Sequence, residues 1–343
     1  MSNYVTGMKQ KSYEWLTNLE NLKFENKSVL IIGAGEMAKH YAFALSHLHV
    51  NDITIISRTK KEPNQFNCKC EILSGGFEKH LPLIDKKDLV IIATPTPLLI
   101  PATKLSIESG QTNILVEKPG SLYHSELSSL MKKLKKQRVR IAYNRLLYPS
   151  FHKLRTLVEE DGGITSCRFN FTEWVHRIPF DKYEKDEYSR WGISNSLHVI
   201  SMAMELIGMP RTISSFQSGK LDWHESGSIF VGSGISENGI PFSYHADWGG
   251  SGRWEIEIIT RKNGYRLIPL EELYVCKKGT VSWEAVSLRS SFPDVKPGIG
   301  EEISVMLNNK IDDCIPMVSI ERAIEYNKLA EKIFKYSTER KLS

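Results

Sequence analysis

Two glycines and one alanine at fixed spacing are the first residues of this chain whose arrangement could do chemistry. Gly33, Gly35 and Ala38 fit the pattern Gly-x-Gly-x-x-Gly/Ala, and the residues between them are Ala34, Glu36 and Met37. An apolar run typical of a strand precedes the pattern and a helical pattern follows it, which is the context of a pyrophosphate site at a helix N-terminus. The glycines allow a tight turn and close approach of phosphate to the backbone, and the alanine lets helix and strand pack closely. The pattern predicts a dinucleotide site; the alternative is a strand–helix turn that binds no ligand.

The end of the second predicted strand indicates which dinucleotide the site prefers. The apolar run is followed there by Ser57, Arg58 and Thr59, with Lys60 and Lys61 behind them. Sites specific for NAD usually carry an acidic residue at this point to bond the ribose hydroxyl, and this chain has none there. A hydroxyl followed by an arginine suits a 2′-phosphate, because the guanidinium offers a planar fork of donors. We predict NADP(H) as the preferred cofactor, with NAD(H) also able to bind; the alternative is a loop of surface cations.

A third group of residues stands at the end of another predicted strand. Thr94, Pro95 and Thr96 come directly after an apolar run, and a further proline follows them. Prolines cannot continue a central strand, so the chain must turn out of the sheet here. Ligands of open α/β sheets bind at this carboxyl edge. The three residues are therefore predicted to line the cofactor site.

Five short apolar runs, each followed by a helical pattern, must position these residues. The runs cover residues 28–35, 52–57, 88–94, 112–119 and 139–144. Near-continuous Val, Ile and Leu in strands that helices separate are typical of a parallel sheet covered on both faces. The sequence predicts a doubly wound α/β Rossmann domain over residues 1–145, which begins with an amphipathic helix at residues 8–24.

The pattern changes after residue 145. Strand patterns follow one another without helices between them, at residues 164–174, 211–218, 227–234, 240–248, 253–260 and 263–270. Such a succession is typical of an antiparallel sheet. Helices are predicted at residues 150–160, 194–207 and 318–337. We predict an α+β substrate and oligomerisation domain over residues 146–343, whose last helix is a candidate for packing back on the first domain.

The composition excludes several classes of protein. The chain has 343 residues, of which 41% are apolar and 25% charged, and this suits two folded domains and excludes wholesale disorder. The net charge of +5 comes from scattered basic residues, and the densest group, at residues 132–136, is typical of a solvated helix face, so no nucleic-acid partner is predicted. No apolar run could span a bilayer and no signal peptide is evident, so we predict a cytoplasmic protein without a membrane partner. The five cysteines lack the spacing of a metal site, and no metal is predicted.

The run Glu117-Lys118-Pro119-Gly120 after an apolar strand is the most specific motif of the chain. It resembles the corresponding motif of the Gfo/Idh/MocA oxidoreductases, a family that includes glucose–fructose oxidoreductase and inositol dehydrogenase, and the likeness extends to GAGEMA at 33–38, ATPTP at 93–97 and Ala142-Tyr143-Asn144-Arg145. The resemblance implies a Rossmann domain, a second domain with a large, mostly antiparallel sheet, and a homodimer or homotetramer. It implies NAD(P)-dependent hydride transfer on a sugar-type alcohol or carbonyl. It also implies that Glu117, Lys118 and Asn144 line the cofactor site and that Lys118 contacts the substrate oxygen, where an ammonium stabilises the developing alkoxide and can supply its proton.

His198 matches the second catalytic element of this family, an Asp-x-x-x-His on the first long helix of the substrate domain. Residues four apart share a helix face, so the aspartate should stand at position 194, where this chain has Ser194. The family's proton relay therefore cannot be carried over whole. Either His198 exchanges the substrate proton together with Lys118, or the enzyme works mainly as a reductase with Lys118 as the acid and His198 as a hydrogen-bond donor. The alternative is that His198 is a structural residue.

Aromatic and polar residues near the start of the second domain are the predicted substrate contacts. Aromatic faces and arginine suit sugar rings, carboxylates and diphosphates. Beside Lys118 and His198, the predicted contacts are Tyr148, Trp174, Arg190, Trp191, Ser194 and Asn195. We predict an NADP-preferring oxidoreductase that acts on a carbohydrate-like small molecule, such as a nucleotide-linked or surface-glycan precursor sugar. The alternatives are a reductase of an imine or non-sugar carbonyl, and a catalytically weak NADP-binding regulatory protein.

Overall fold

The chain forms two compact units, which are described separately. The computed structural model describes residues 12–312, 315 and 317–340. The parallel unit contains Trp15–Leu147 and Ser290–Glu325. The antiparallel unit contains residues 12–14, Tyr148–Arg289 and the described residues from Tyr326 onwards. Part of the predicted first helix, residues 8–11, lies outside the described residues, as does Cys314.

A parallel sheet forms the centre of the parallel unit. Its strands are β1 (Ser28–Ile32), β2 (Asp52–Ser57), β3 (Glu71–Ser74), β4 (Leu89–Ile92), β5 (Asn113–Glu117) and β6 (Arg138–Ala142). They pair in the order β6-β5-β4-β1-β2-β3. The side chains at residues 29–32 and 89–92 are almost fully buried, as expected where helices cover both faces of the sheet. This confirms the predicted Rossmann-type fold.

The helices up to residue 131 follow the apolar patterns of the sequence. They are α1 (Ser12–Leu16), α2 (Glu36–His47), α3 (Phe77–His80), α4 (Thr96–Glu108) and α5 (His124–Met131). Helix α2 buries Ala38, Tyr41, Ala42 and Leu45, which lie on one face at helical spacing. The predicted first helix is shorter than expected within the described residues, because α1 ends at Leu16 and a separate 3₁₀ turn follows at Leu19–Asn21.

An eight-stranded sheet forms the centre of the antiparallel unit. Its strands are β7 (Ile164–Phe171), β8 (Pro210–Ser218), β9 (Ile229–Ser236), β10 (Pro241–Asp247), β11 (Trp254–Thr260), β12 (Asn263–Leu267), β13 (Tyr274–Lys277) and β14 (Glu284–Ala285). Their order is β14-β13-β12-β11-β7-β10-β9-β8, and every neighbouring pair is antiparallel except β7 and β10. The large, mostly antiparallel sheet is thereby confirmed. Strands β13 and β14 are short and were not predicted.

Helices of the antiparallel unit and the turn before the last of them carry His198, Ser194 and Asn195 of the predicted substrate contacts. The helices are α6 (Pro149–Glu160), α7 (Lys185–Ser189) and α8 (Leu197–Ile207), and a π-helical turn at Gly192–Ser196 leads into α8. Nearly all side chains of α8 are buried. Gly192 is needed in the turn, because a Cβ there would lie 2.4 Å from the ring of Phe334.

The chain returns to the parallel unit after residue 289, which differs from the predicted division at residue 145. Helices α9 (Ile299–Leu307) and α10 (Asn309–Asp312) follow, then the short strand β15 (Val318–Ser319) and the last helix α11 (Ile320–Phe334). Strand β15 pairs antiparallel with β6, and Val318 lies opposite Ile141. Helix α9 packs against α2, and Arg138 donates to the carbonyl oxygen of Met306 at 2.9 Å. These contacts join segments far apart in sequence, which is why local patterns placed residues 290–325 in the wrong domain.

Within the described residues, no helix combines the length and the apolar character needed to cross a lipid bilayer.

Candidate active site

The residues predicted to bind the cofactor follow the carboxyl ends of neighbouring parallel strands. Ile32 at the end of β1 lies opposite Ile56 on β2 and Ile92 on β4, and Ile92 lies opposite Val116 on β5. The chain therefore leaves these four strands at one level of the sheet. This edge, in the crevice where the strand order reverses between β1 and β4, is where open α/β sheets bind ligands.

Gly33 and Gly35 have different structural reasons for being glycine. Gly33 has a φ of +114°, and a Cβ there would lie 2.3 Å from the carbonyl oxygen of Ala93, so the fold itself excludes a side chain. Gly35 is the N-cap of α2 with a φ of −86°, and a Cβ there would meet nothing within 4 Å. The fold therefore does not require glycine at position 35. The exposed start of a twelve-residue helix opens onto free space, as a pyrophosphate site requires.

Thr94 contributes a second feature that suits a ligand. Its Oγ1 atom is buried and has no hydrogen-bond partner among the described residues. The backbone nitrogen of Thr94 lies close to Gly33, 3.1 Å from where a Cβ would stand. Buried hydroxyls are normally hydrogen-bonded, so this one suits a polar group supplied by a ligand. The turn at Gly33–Gly35 and the end of β4 therefore fit a dinucleotide. Pro95 and Thr96, also predicted to bind cofactor, form the N-cap and first residue of α4.

The end of β2 presents exposed cations. Ser57 is buried, and its carbonyl oxygen accepts hydrogen bonds from Gly75 and Gly76 at 2.9 and 3.0 Å. Arg58 and Thr59 are exposed. The Arg58 guanidinium makes no ion pair or hydrogen bond with any side chain in the described part of the chain. It is thus available to an anion at this edge of the sheet.

The motif around Lys118 combines a half-buried lysine with a buried carboxyl group. The Lys118–Pro119 peptide bond is cis. Glu117 is buried at the end of β5, and the Tyr41 hydroxyl donates to its Oε1 atom at 2.7 Å. Burial raises the pKa of Glu117, while the hydrogen bond from Tyr41 and the charge of Lys118 act in the opposite direction. The side-chain amide of Asn144 donates to the carbonyl oxygen of Pro297 at 2.9 Å, and its contact with the cofactor stays a prediction.

His198 and the residues before it form a separate polar group in the antiparallel unit. The His198 ring is buried in the first turn of α8 and lies 6.0 Å from the ring of Trp254. Ser194, at the position of the family aspartate, donates from Oγ to Glu187 Oε1 at 2.8 Å. Glu187 is buried as well. The Glu187 carboxylate is therefore hydrogen-bonded to the residue at position 194.

A second buried carboxylate, Glu173, lies at the same turn. The Asn195 amide donates to Glu173 Oε2 at 2.7 Å, and the Ser196 hydroxyl donates to Oε1 at 2.6 Å. Sequence reasoning missed both glutamates. Their signal was present but weak: Glu173 follows directly on a strand and precedes Trp174, and Glu187 lies in the aromatic loop before α8.

The remaining predicted substrate contacts differ in accessibility. The Trp174 side chain is 38% exposed, and the guanidinium carbons of Arg177 and Arg253 lie 5.1 and 5.5 Å from its ring centre. Tyr148 and Trp191 are buried. Tyr148 is the N-cap of α6, and Trp191 stacks on Tyr188.

Arg190, another predicted substrate contact, pairs with residues of the fold. Its side chain is fully buried, and Nη1 donates to the carbonyl oxygen of Ser337 at 2.8 Å. Its guanidinium also pairs with Glu331 and Glu225, at 3.4 and 3.6 Å, and lies over the Tyr336 ring. The guanidinium thus contacts the C-terminal segment of the described chain, partners that a sequence motif does not reveal, and its substrate contact stays a prediction.

Comparison with known sequences finds a family model that matches within the parallel unit and relatives that match over part of the chain. The model of the shikimate / quinate 5-dehydrogenase family matches residues 16–114. A glutamyl-tRNA reductase from Methanococcus maripaludis is 30% identical over 96 residues, which are 28% of this chain and 25% of that protein. An NADP(+) shikimate dehydrogenase from Clostridium botulinum is 37% identical over 76 residues, 22% of this chain and 28% of that protein. The chain thus aligns with about a quarter of the length of these relatives.

Comparison with solved structures finds similarity over nearly the whole chain. A UDP-N-acetylglucosamine 3-dehydrogenase from Acidithiobacillus ferrooxidans aligns with a TM-score of 0.68 and 15% identity, covering 90% of this chain and 97% of that one. A levoglucosan dehydrogenase in complex with NADH and L-sorbose aligns with a TM-score of 0.71 and 18% identity, covering 90% and 96%. At these identities the likeness establishes the two-part fold.

Proposed function

We propose that this protein is an NAD(P)-dependent oxidoreductase of the Gfo/Idh/MocA type that acts on a sugar-type alcohol or ketone. The observation that carries the proposal is the open space at the Gly35 N-cap of α2, with the buried Thr94 hydroxyl that has no partner among the described residues beside the same turn. Within the described residues, nothing lies within 4 Å of a Cβ built at Gly35, and nothing hydrogen-bonds to the Thr94 hydroxyl. The fold shared with a nucleotide-sugar dehydrogenase and a levoglucosan dehydrogenase supports the choice of substrate class.

The cofactor would be held by the edge residues of the parallel sheet. The free backbone N–H groups at the start of α2 would bind the pyrophosphate, and the Thr94 hydroxyl would accept or donate a further hydrogen bond. The exposed Arg58 would pair with a 2′-phosphate, which supports NADP(H) as the preferred cofactor. When bound, the nicotinamide supplies or accepts the hydride.

Lys118 is the proposed acid–base residue at the substrate oxygen. Its ammonium would stabilise the negative charge that develops on a carbonyl oxygen and would then donate the proton. In the direction of alcohol oxidation the neutral amine would accept that proton. The buried carboxyl group of Glu117 next to it favours the ammonium form, which suits a reductase.

His198 is the proposed second polar contact of the substrate. Ser194 brings no carboxylate of its own, but its bond to Glu187 ties one to the helix face that His198 shares. The Trp174 ring with its two flanking guanidinium groups would contact the substrate's ring or its anionic substituent. A nucleotide-linked sugar carries a ring and an anionic substituent, so it suits an aromatic ring flanked by guanidinium groups.

The similarity to shikimate dehydrogenases and glutamyl-tRNA reductases does not bear on the substrate. The family model matches residues 16–114, which lie in the proposed cofactor-binding part of the chain. The antiparallel unit carries the proposed substrate contacts other than Lys118, and its residues from Tyr148 onwards lie outside that range.

Nucleotide titration tests the cofactor. We expect NADPH to bind more tightly than NADH in a titration followed by nucleotide fluorescence. Arg58→Ala should weaken NADPH binding about tenfold or more, since it removes a charge-assisted hydrogen bond. NADH binding should stay unchanged in this variant. Lys60→Ala is the matched control, because Lys60 is exposed too and its Nζ atom lies 4.0 Å from Glu62 Oε1. Equal losses for both nucleotides would contradict the NADP preference, and no binding of either would contradict the enzyme.

Turnover tests the reaction. NADPH oxidation is measured with a panel of sugar ketones, free and nucleotide-linked. Lys118→Ala should lose turnover by a factor of about 10² to 10⁴, the usual contribution of a general acid, while it still binds NADPH. A variant that keeps near-full turnover would exclude the catalytic role of Lys118. A chain that binds NADPH but reduces no carbonyl would favour a regulatory protein.

A further inference from the structure

The centre of the parallel unit contains a hydroxyl between two buried carboxyl groups. Tyr41 on α2 is fully buried, and its Oη atom lies 2.7 Å from Glu117 Oε1 and 3.4 Å from Glu302 Oε2. Glu302 is in the first turn of α9 and is fully buried too. The other oxygen of Glu302, Oε1, has no hydrogen-bond partner within residues 12–312 or the other described positions.

The number of protons shared by Tyr41, Glu117 and Glu302 determines which carboxyl group is charged. A phenol carries one proton and can donate to one carboxylate, and the shorter distance assigns that bond to Glu117. The second contact is attractive only if Glu302 carries a proton and donates it to the phenol oxygen. Two ionised carboxylates that share one hydroxyl in a buried site would repel each other without solvent to screen them.

The charges and hydrogen bonds around the two carboxyl groups also favour a neutral Glu302 and an ionised Glu117. Burial raises the pKa of Glu117 too, but the Tyr41 hydrogen bond, the charges of Lys118 and Lys296, and the Lys118 backbone N–H all oppose this rise. For Glu302, burial raises the pKa well above its ordinary value, and the charges of Glu117 and Glu301 raise it further. The charge of Lys296 opposes this rise, as would a hydrogen bond donated by Tyr41 to an ionised Glu302, but the Tyr41 proton is committed to Glu117. Glu302 is therefore the neutral member and Glu117 the ionised one.

We propose that neutral Glu302 and Tyr41 are positioning residues, which form a hydrogen-bonded chain from Glu302 through the phenol to Glu117 and keep Glu117 ionised beside Lys118. A neighbouring carboxylate stabilises the ammonium form of Lys118 at the pH of turnover. The inference rests on the proposed function for the role of Lys118, whereas the charge of Glu302 stands independently of it.

The charge of Glu302 is tested without any activity measurement. Glu302→Gln keeps the shape and the donor of a protonated carboxyl group but cannot ionise. If native Glu302 is neutral, unfolding releases its proton, and the wild type loses stability relative to Glu302→Gln as pH rises from about 5 to 8. The ratio of the two unfolding equilibrium constants should change about tenfold per pH unit. A ratio that stays constant over this range would overturn the assignment.

The positioning role is tested by pH profiles of turnover. Glu302→Gln should keep the wild-type profile, since it reproduces the neutral acid. Tyr41→Phe and Glu117→Gln should move the alkaline limb of the reductase profile to lower pH by about 1 unit or more, because Lys118 loses its carboxylate neighbour. Glu108→Gln, on an exposed helix end, is the control for an ordinary glutamate substitution.

The outcomes separate this inference from the proposed function. A Glu302→Gln profile shifted as far as that of Glu117→Gln would overturn the positioning chain, and so would unshifted profiles for Tyr41→Phe and Glu117→Gln. If the wild type reduces no substrate, the proposed function fails, and the unfolding measurement still decides whether Glu302 is neutral.

Discussion

The hydroxyl of Ser194 and the carboxylate of Glu187 are hydrogen-bonded at 2.8 Å, and both side chains are buried. Ser194 lies in the turn that leads into α8 and Glu187 lies in α7, so a carboxylate is hydrogen-bonded to position 194 although that position itself carries none. A serine at this position is therefore compatible with an acid–base site, provided that Glu187 supplies the charge.

Breaking the Ser194–Glu187 pair should affect both stability and turnover. Ser194→Ala leaves one Glu187 oxygen without its donor, so we expect a loss of about 1 to 3 kcal/mol in the free energy of unfolding. Urea unfolding measures this loss. Ser194→Thr keeps a hydroxyl and is the matched control. If Ser194→Ala is as stable and as active as the wild type, the hydrogen bond contributes neither to the fold nor to the site.

The two glycines of the phosphate turn should respond differently to alanine. Gly35→Ala places a Cβ in open space at a permitted φ, so we expect less than about 1 kcal/mol of destabilisation but at least a tenfold loss of NADPH affinity, since phosphate approaches the backbone there. Gly33→Ala should destabilise the fold, because its Cβ would lie 2.3 Å from the Ala93 oxygen at a φ of +114°. Thermal unfolding and nucleotide titration separate the two effects. A Gly35→Ala variant with wild-type affinity would argue against a pyrophosphate at this helix.

Glu301 should make the fold less stable as pH rises. Burial raises the pKa of Glu301 from its ordinary 4.5 to about 7. Between these values the unfolded chain has lost the proton and the folded chain still holds it, so unfolding releases a proton and its free energy falls with rising pH. The fall is about 1.4 kcal/mol per pH unit for one proton, or roughly 3 kcal/mol over the whole window.

Glu301→Gln should remove this part of the pH dependence, which urea unfolding at several pH values between about 4.5 and 7.5 would show. Glu108→Gln, exposed on α4, serves again as the control. Parallel stability curves for Glu301→Gln and the wild type would mean that Glu301 titrates alike in the folded and unfolded chain.

We propose that the open face of the eight-stranded sheet joins copies of the chain. Phe216 is 65% exposed on β8 and lies opposite Val231 on the neighbouring strand β9, where Val231 and Ile235 are each more than a third exposed. Contiguous exposed apolar side chains on a sheet face are typical of an interaction surface. Phe216→Glu should therefore lower the oligomeric state while it leaves the free energy of unfolding of a single copy nearly unchanged.

Light scattering after size exclusion measures the mass of the assembly. The matched control is Val281→Glu, since Val281 is 92% exposed but lies between β13 and β14 outside that patch. A wild type that is already monomeric, or a Phe216→Glu variant with unchanged mass, would place the contact elsewhere or exclude it.

The amino-acid sequence determined the local features of this protein. The runs of Val, Ile and Leu predicted the parallel strands because a strand buried on both faces has to be apolar along its length. Gly33 and Gly35 were recognisable because a phosphate-binding strand–turn–helix carries glycines at this fixed spacing. The six strand patterns between residues 164 and 270 predicted the second sheet. Each of these properties depends on neighbours a few residues apart.

Only the tertiary structure decided which distant side chains meet. Tyr41 joins Glu117 and Glu302 across separations of 76 and 261 residues, and Arg190 reaches Glu331 at the other end of the chain. No periodic pattern in the sequence indicates that residues 290–325 return to the parallel unit, where β15 adds two residues to the sheet. A buried charge requires a partner, but the sequence does not state which one, since the choice depends on the packing of elements that are remote along the chain.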